Sequence, residues 1–291
     1  MSSLKISIIT INFNNKKGLE KTIESVLQQT YQNVQYIVID GDSTDGSKEV
    51  IEKYKDRISY WISEPDSGIY NAMNKGGMKA TGDYLLFLNS GDSLYNVDVI
   101  EYMVHRFNDE DLVMGYIFSE LSRKICYDDV RFPLTFLDFY KSNPIPHPSC
   151  FIKRDLYQGL LYDESFRIVS DWKFFLQAVI FKNCSYKMIP YVVTSFEDGG
   201  LSSNSVLCKE ERNKVLSELF PERVLLDYFK FTNGEGYNDS DYDTLFITIR
   251  KYNYASIVYF LSLLIVRFIS FFKMNASFSR KLPLFWKSKH I

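Results

Sequence analysis

Apolar positions in the first third of the chain alternate between two periods. Ile6 to Ile11 is an almost continuous β-branched run, the pattern of a strand buried on both faces. Leu19, Ile23, Val26 and Leu27 then recur at helical spacing, and Val34 to Ile39 is apolar again. Val50, Ile51 and Tyr54 mark a second helix, Ile58 to Ile62 a third strand, Ile69 to Met78 a third helix, and Tyr84 to Leu88 a fourth strand. Repeated β-α units of this kind predict an α/β fold with a mostly parallel sheet flanked by helices. In such sheets ligands lie beyond the carboxyl ends of the strands, so chemistry is sought in the loops after Ile11, Ile39, Ile62 and Leu88.

Those four loops are selectively polar. The first holds Asn12, Asn14 and Asn15, and the second reads IDGDSTDGS from Ile39 to Ser47. The third reads SEPDSG from Ser63 to Gly68, and the fourth NSGD from Asn89 to Asp92. Carboxylates and amides therefore converge on one sheet edge. Part of this polarity has a local explanation: Asp42, Ser43, Thr44 and Asp45 suit a helix cap, and Asn-Ser-Gly-Asp suits a plain turn. Asp40 sits at the strand end, ahead of that cap. No GxGxxG follows the first strand and no GxxxxGK[ST] occurs anywhere, which disfavours a dinucleotide dehydrogenase and a P-loop NTPase. A nucleotide diphosphate held at this edge would need a divalent cation on oxygen ligands.

Composition sharpens this picture in two places. With 46% hydrophobic and 16% aromatic residues, the 291-residue chain has enough apolar surface for a full core, which excludes intrinsic disorder as its main state. The net charge of -2 is unevenly spread. No Asp or Glu follows Asp243, whereas eight Lys and Arg do, so a basic tail of +8 follows a body of -10. Such asymmetry points to an anionic partner surface. The four cysteines contain no CxxC pair and are expected to be reduced core thiols. With only His105, His147 and His290 present, a His-cluster metal site is excluded. Residues 1–13 read as a strand and carry no export signal, so the expected location is cytoplasmic.

The motifs resemble family 2 glycosyltransferases, inverting enzymes of the GT-A fold that use nucleotide sugars. The match runs through ISIITINFNN (Ile6 to Asn15), IDGDSTDGS, SEPDSGIYNAMNKG (Ser63 to Gly76) and ATGDYLLFLNSGD (Ala80 to Asp92), four pieces in order, each at a strand end. The resemblance implies donor contacts from Asn12, Asn14, Asp40, Asp66, Asn71, Asn74 and Lys75, with Asp40 accepting from the nucleobase. Gly41 stands where related sequences often have a second Asp, and Lys75 also reads as a solvated surface lysine. The family's DxD metal pattern is reduced here to Asn89, Ser90, Gly91 and Asp92, so Asp92 with the Asn89 carbonyl is the implied ligand set for Mn²⁺ or Mg²⁺. The acidic pair that opens the family's base helix is Ser170-Asp171 here, which assigns the catalytic base to Asp171; a carboxylate favoured by the helix dipole is the alternative. His147, between two prolines, with Trp172 and Glu197, is expected on the acceptor side. The Gly pair in Phe196 to Ser203 suits either a mobile loop or a linker.

The implied domains are a catalytic body over 1–205 and a helical extension over 206–291. Within the extension, Ala255 to Phe272 carries one charge and would be about 27 Å long as a helix, the lower edge of a membrane span. Ser256, Arg267 and Ser270 share one helical sector, and both flanks are basic, so an interfacial helix over about 254–273 on anionic lipid is favoured over a spanning one. A buried soluble helix is the other option. Nucleic acid is a poor partner, because long apolar stretches interrupt the basic residues. The expected function is transfer of a sugar from a nucleotide donor, UDP-linked, to a glycan or lipid-linked acceptor at the inner face of the cell membrane, in surface polysaccharide or glycoconjugate synthesis. A noncatalytic sugar-nucleotide or glycan-binding protein with a degraded metal motif is the alternative. A nucleotidyltransferase is less favoured, since its basic phosphate loop is missing.

Overall fold

The Ile6–Ile11 run and Asn12 form strand β1 (Ile6–Asn12), and all seven of its residues are buried. The computed structural model describes residues 3–126, 133–197, 199–200 and 204–233. Helix α1 (Lys16–Leu27) follows, opened by Asn15, whose side chain accepts from the Gly18 N–H. The alternation then continues through β2 (Val34–Asp40), α2 (Ser47–Tyr54), β3 (Tyr60–Ser63), α3 (Ile69–Lys79) and β4 (Tyr84–Phe87). These strands pair in parallel in the order β3-β2-β1-β4, with Asn12 opposite Asp40 and Asp40 opposite Ser63. The carboxyl ends of three strands therefore meet at one level. Alternate residues such as Ile6, Ile8, Val38 and Leu86 pack against Leu19, Ile23, Val26 and Ile51 of α1 and α2 in one core cluster. Each such fully buried side chain stabilises the fold by roughly 1.5–3 kcal/mol.

The parallel half is as expected, and beyond β4 the sheet continues as a mixed one. A two-residue strand β5 (Ser93–Leu94) and α4 (Val99–Val104) precede β6 (Leu112–Ser119) and β7 (Lys124–Cys126). Then come α5 (Phe136–Lys141), β8 (Cys150–Lys153), α6 (Arg154–Gln158), α7 (Ser170–Leu176), β9 (Tyr186–Phe196) and α8 (Ser205–Leu219). The order continues β4-β8-β6-β9-β5, with β8 antiparallel to both neighbours, β9 parallel to β6, and β7 paired to β6. Strand β8 enters from a short 3₁₀ turn and not from a crossover helix, so nothing in the β-α rhythm signalled its reversal. Of the cysteines, Cys150 and Cys184 are buried as expected, but Cys126 is exposed on the outer strand β7.

The chain divides into two compact units after Leu219. Helix α8 belongs to the first unit because Val215 and Leu216 are buried and its acidic side chains bond that unit's backbone and lysine. In the second unit, the described part is α9 (Glu222–Asn233). No helix among the described residues is long and apolar enough to cross a membrane. The apolar segment 254–273 lies outside the described residues.

Candidate active site

Where β1, β2 and β3 end together, Asp40 ties them to one another. Its Oδ1 accepts from Asn12 Nδ2 at 2.7 Å and Ser43 Oγ at 2.6 Å; its Oδ2 accepts from the Ser43 N–H at 3.0 Å and Ser63 Oγ at 2.5 Å. Burial pushes this carboxyl up, but the hydrogen bonds from Ser43, Ser63 and Asn12 outweigh it and hold it below the usual carboxylate range. Asp40 is 0% exposed. It is thus an internal clamp, while the surfaces it positions form a cleft of about 1340 Å³ lined by Asn12, Phe13, Gly41, Asp66 and their neighbours.

The fourth loop closes the cleft floor. Helix α1 pins it: Asn15 Nδ2 donates to the Ser90 carbonyl, Lys21 Nζ to the Gly91 carbonyl, and Thr22 Oγ1 to the Asp92 carbonyl at 2.6 Å. Gly91 has φ +106, and an added Cβ would clash with the Glu197 carboxylate, so glycine lets the end of β9 approach the loop. Asp92 is 4% exposed, and its Oδ1 accepts from the Glu197 N–H at 3.0 Å. Burial raises its carboxyl to about 7, opposed by that backbone bond and by Lys21 and reinforced by Glu197 and Glu120. Two buried amide oxygens on the cleft wall, Asn12 Oδ1 and Asn89 Oδ1, accept no hydrogen bond. A buried carboxylate, a nearby second carboxylate and unsatisfied carbonyl-type oxygens form an acceptor-rich, donor-poor floor, and this fits a hard divalent cation. Among the described residues, no group of three or more acidic, His or Cys side chains exists to hold one, so substrate oxygens would have to complete the shell.

The lining of the same cleft also includes Asp171, in the first turn of α7. Its Oδ1 accepts from Tyr70 Oη at 2.9 Å, while the Ile168 carbonyl lies 2.5 Å from the same hydroxyl, which can donate to only one of them at a time. Glu211 of α8 supports this part of the lining: its carboxylate accepts from the N–H groups of Arg167, Ile168 and Val169. His147 also lines the cleft, buried, stacked on Phe87 and 2.8 Å from Tyr162 Oη through Nε2. Burial lowers its pKa against the pull of the Asp171 charge, so the imidazole is neutral at pH 7.

Of the sequence-derived candidates, the cleft gathers Asn12, Asp66, Asn89, Asp92, His147, Asp171 and Glu197. It does not gather the others. Asn14 accepts from the Thr44 N–H and shapes the second loop. Asn71 and Asn74 bond Glu164, and Asn74 also bonds Tyr157 and Tyr162, because these positions share the α3 face that meets the 157–164 segment. Lys75 pairs with Glu64 at 2.8 Å and donates to the Pro65 carbonyl, bracing the loop that carries Asp66. Trp172 is 2% exposed and donates to the Ser142 carbonyl, on the buried side of α7. Asp45 serves the start of α2, accepting from the Ser47 N–H. Missed in the sequence were Phe13, 66% exposed on the cleft wall, and Tyr70 and Glu211, which act through contacts some 100 and 40 positions apart. An aromatic directly after the first strand was the one readable signal among them.

A parallel half-sheet with a cleft at its carboxyl edge is the frame of an α/β enzyme, and the chain belongs to glycosyl transferase family 2, whose model matches residues 7–157. Among relatives, an uncharacterized glycosyltransferase of Mycobacterium tuberculosis, Rv1514c, is 30% identical over 86% of this chain and 99% of its own. A "PGL/p-HBAD biosynthesis glycosyltransferase" of Mycobacterium bovis is 28% identical over 72% of this chain and 83% of its own. Among solved structures, Staphylococcus aureus TarS 1-349 in complex with UDP-GlcNAc superposes with a TM-score of 0.61 at 18% identity, over 73% of this chain and 64% of that one. The mannosyltransferase PcManGT of Pyrobaculum calidifontis, in complex with GDP-Man and Mn²⁺, gives 0.53 at 16% identity, over 68% and 58%. These two likenesses concern the GT-A fold.

Proposed function

We propose that this glycosyltransferase moves a sugar, with inversion, from a nucleoside-diphosphate donor to a hydroxyl of a glycan or lipid-linked acceptor. The observation that carries the proposal is the placement of Asp92 and Asp171 on the walls of one cleft. The cleft exceeds the roughly 300–1,000 Å³ of a single small-molecule site, leaving room for two substrates. Phe13 offers an exposed face to a base. Asp92, Glu197 and Asn89 would hold a divalent cation, which supplies positive charge for the donor diphosphate as it leaves. Asp171 accepts the proton of the acceptor hydroxyl as its oxygen attacks the anomeric carbon from the face opposite the diphosphate; one C–O bond forms as the other breaks. Neutral His147 lines the cleft without adding charge beside that proton transfer. TarS bound to UDP-GlcNAc and PcManGT bound to GDP-Man and Mn²⁺ share this fold, which supports a nucleotide-sugar donor and a divalent cation as its kind of ligand.

Incubation with a panel of sugar nucleotides and Mn²⁺, reading which nucleoside diphosphate is released, tests this function. Donor binding without any release would favour the noncatalytic alternative, and release of pyrophosphate would favour a nucleotidyltransferase.

Cation affinity carries a pH signature. With its carboxyl at about 7, Asp92 is protonated in acid and must lose that proton to bind a cation. Affinity for Mn²⁺ should rise by about fivefold between pH 6 and 7 and flatten above pH 8. Calorimetry in buffers of different ionisation enthalpy should show about one proton released per cation at pH 6. Affinity independent of pH would remove Asp92 from the ligand set.

The tail gives the enzyme its place. The basic, apolar sequence from Arg250 to Lys273 suits adsorption to anionic lipid, where a lipid-linked acceptor would be met. The relative named for PGL/p-HBAD biosynthesis supports a glycoconjugate acceptor. Deleting residues 245–291 should abolish sedimentation with vesicles containing phosphatidylglycerol while sparing nucleotide binding; a truncated chain that still sediments would refute this.

A further inference from the structure

We infer that Asp66, and not Asp40, is the carboxylate that reads the donor's nucleobase, and that it selects bases presenting a ring N–H. This rests on the nucleotide-dependent reading above and specifies its donor class. A carboxylate has about four acceptor sites, and all four at Asp40 are taken by Asn12, Ser43 (twice) and Ser63. For Asp40 to accept from a ligand, one of these buried donors would have to be left unpaired. Nor does Asp40 reach the cleft wall, whereas Asp66, Phe13 and Gly41 all line it.

Gly41 explains how Asp66 takes that place. A Cβ at residue 41 would lie 2.6 Å from Asp66 Oδ2 and 3.1 Å from the Phe13 ring. The missing side chain thus opens the space into which the Asp66 carboxylate projects, beside the exposed face of Phe13. Asp66 Oδ1 accepts from the Gly68 N–H at 3.0 Å, which fixes the carboxylate's orientation. Lys75 braces the same loop from outside, through Glu64 and the Pro65 carbonyl, without pairing with Asp66. The arrangement is a stacking face with an acceptor at its edge. Uracil N3–H and the guanine N1–H edge satisfy that acceptor. Cytosine and adenine turn a lone pair towards it and are repelled.

The test measures binding of UDP, GDP, CDP and ADP to the full-length protein and to Asp66→Asn, each with Mn²⁺, by calorimetry. The wild type should bind UDP or GDP at least about tenfold more tightly than CDP or ADP, the size of one charged hydrogen bond. Asp66→Asn keeps the size of the side chain and the bond from Gly68, and its amide can donate to cytosine N3; it should lose tenfold or more for the preferred nucleotide and narrow or reverse the gap to CDP. An unchanged ranking in Asp66→Asn, with melting temperature and Mn²⁺ affinity intact, would overturn the inference while leaving the nucleotide-dependent function standing. A wild type that binds none of the four would overturn that function and the inference with it. Asp66→Ala, which should weaken the preferred nucleotide without favouring CDP, separates the loss of an acceptor from a general disturbance of the loop.

Discussion

Asp171→Asn should lower kcat by about a thousandfold, within the range that a positioned general base supplies, while the Kd for the donor nucleotide changes less than about twofold. The amide keeps the volume of the carboxylate and can still accept from Tyr70 Oη, so the wall of the cleft should stay in place. What it cannot do is take the acceptor's proton. Single-turnover measurements with donor and acceptor, alongside nucleotide titration, read the two quantities separately. A kcat within tenfold of the wild type would leave Asp171 as a helix-start carboxylate and nothing more.

Asp92→Asn should have two opposite effects. Cation binding should weaken by at least about a hundredfold, and turnover with it, because the buried carboxylate is the one anion of the NSGD loop. The cation-free protein should at the same time become more stable at pH 8. The carboxyl is raised from 3.8 to about 7 by burial, so its ionisation opposes folding: the cost is absent below the unfolded value, grows between them, and is complete above about 7. Removing it should stabilise the chain by roughly 2–4 kcal/mol at pH 8 and by nothing near pH 3.5. Thermal melts with a chelator at the two pH values, set beside Mn²⁺ titrations, check both arms. A variant that binds Mn²⁺ normally, or melts lower at pH 8, would contradict the role given to Asp92.

The parallel half of the fold could be read from the sequence because each strand there is short, apolar and followed by an amphipathic helix, so local periodicity and topology agree. Strands β5 to β9 escaped that logic. All their pairings but β6–β9 are antiparallel, and β9 has only three buried residues among partly exposed ones, so it carries no clear period. The site divides in the same way. Asp66, Asp92 and Asp171 stand at element ends, where sequence order places them directly. Asp40 stands at such an end too, yet Ser43 and Ser63 saturate it, and only the parallel register shows that Ser63 lies opposite. Asn71, Asn74 and Lys75 look like a polar ligand face on a helix wheel. They meet Glu164, Tyr162 and Glu64 instead, contacts that a one-dimensional reading cannot supply.

Helix α8 also bears on where the working enzyme ends. The family model's match ends at residue 157, before Asp171, and the carboxylate that accepts from three N–H groups ahead of Asp171 comes from Glu211. Lys173, two residues after Asp171, is likewise held by Asp163 and by Glu218 from the last turn of the same helix. A fragment that keeps these contacts around Asp171 therefore extends to Leu219. Sequence change in α8, which also brings the charge of Arg212 to bear on Asp171, can consequently alter the surroundings of that carboxylate.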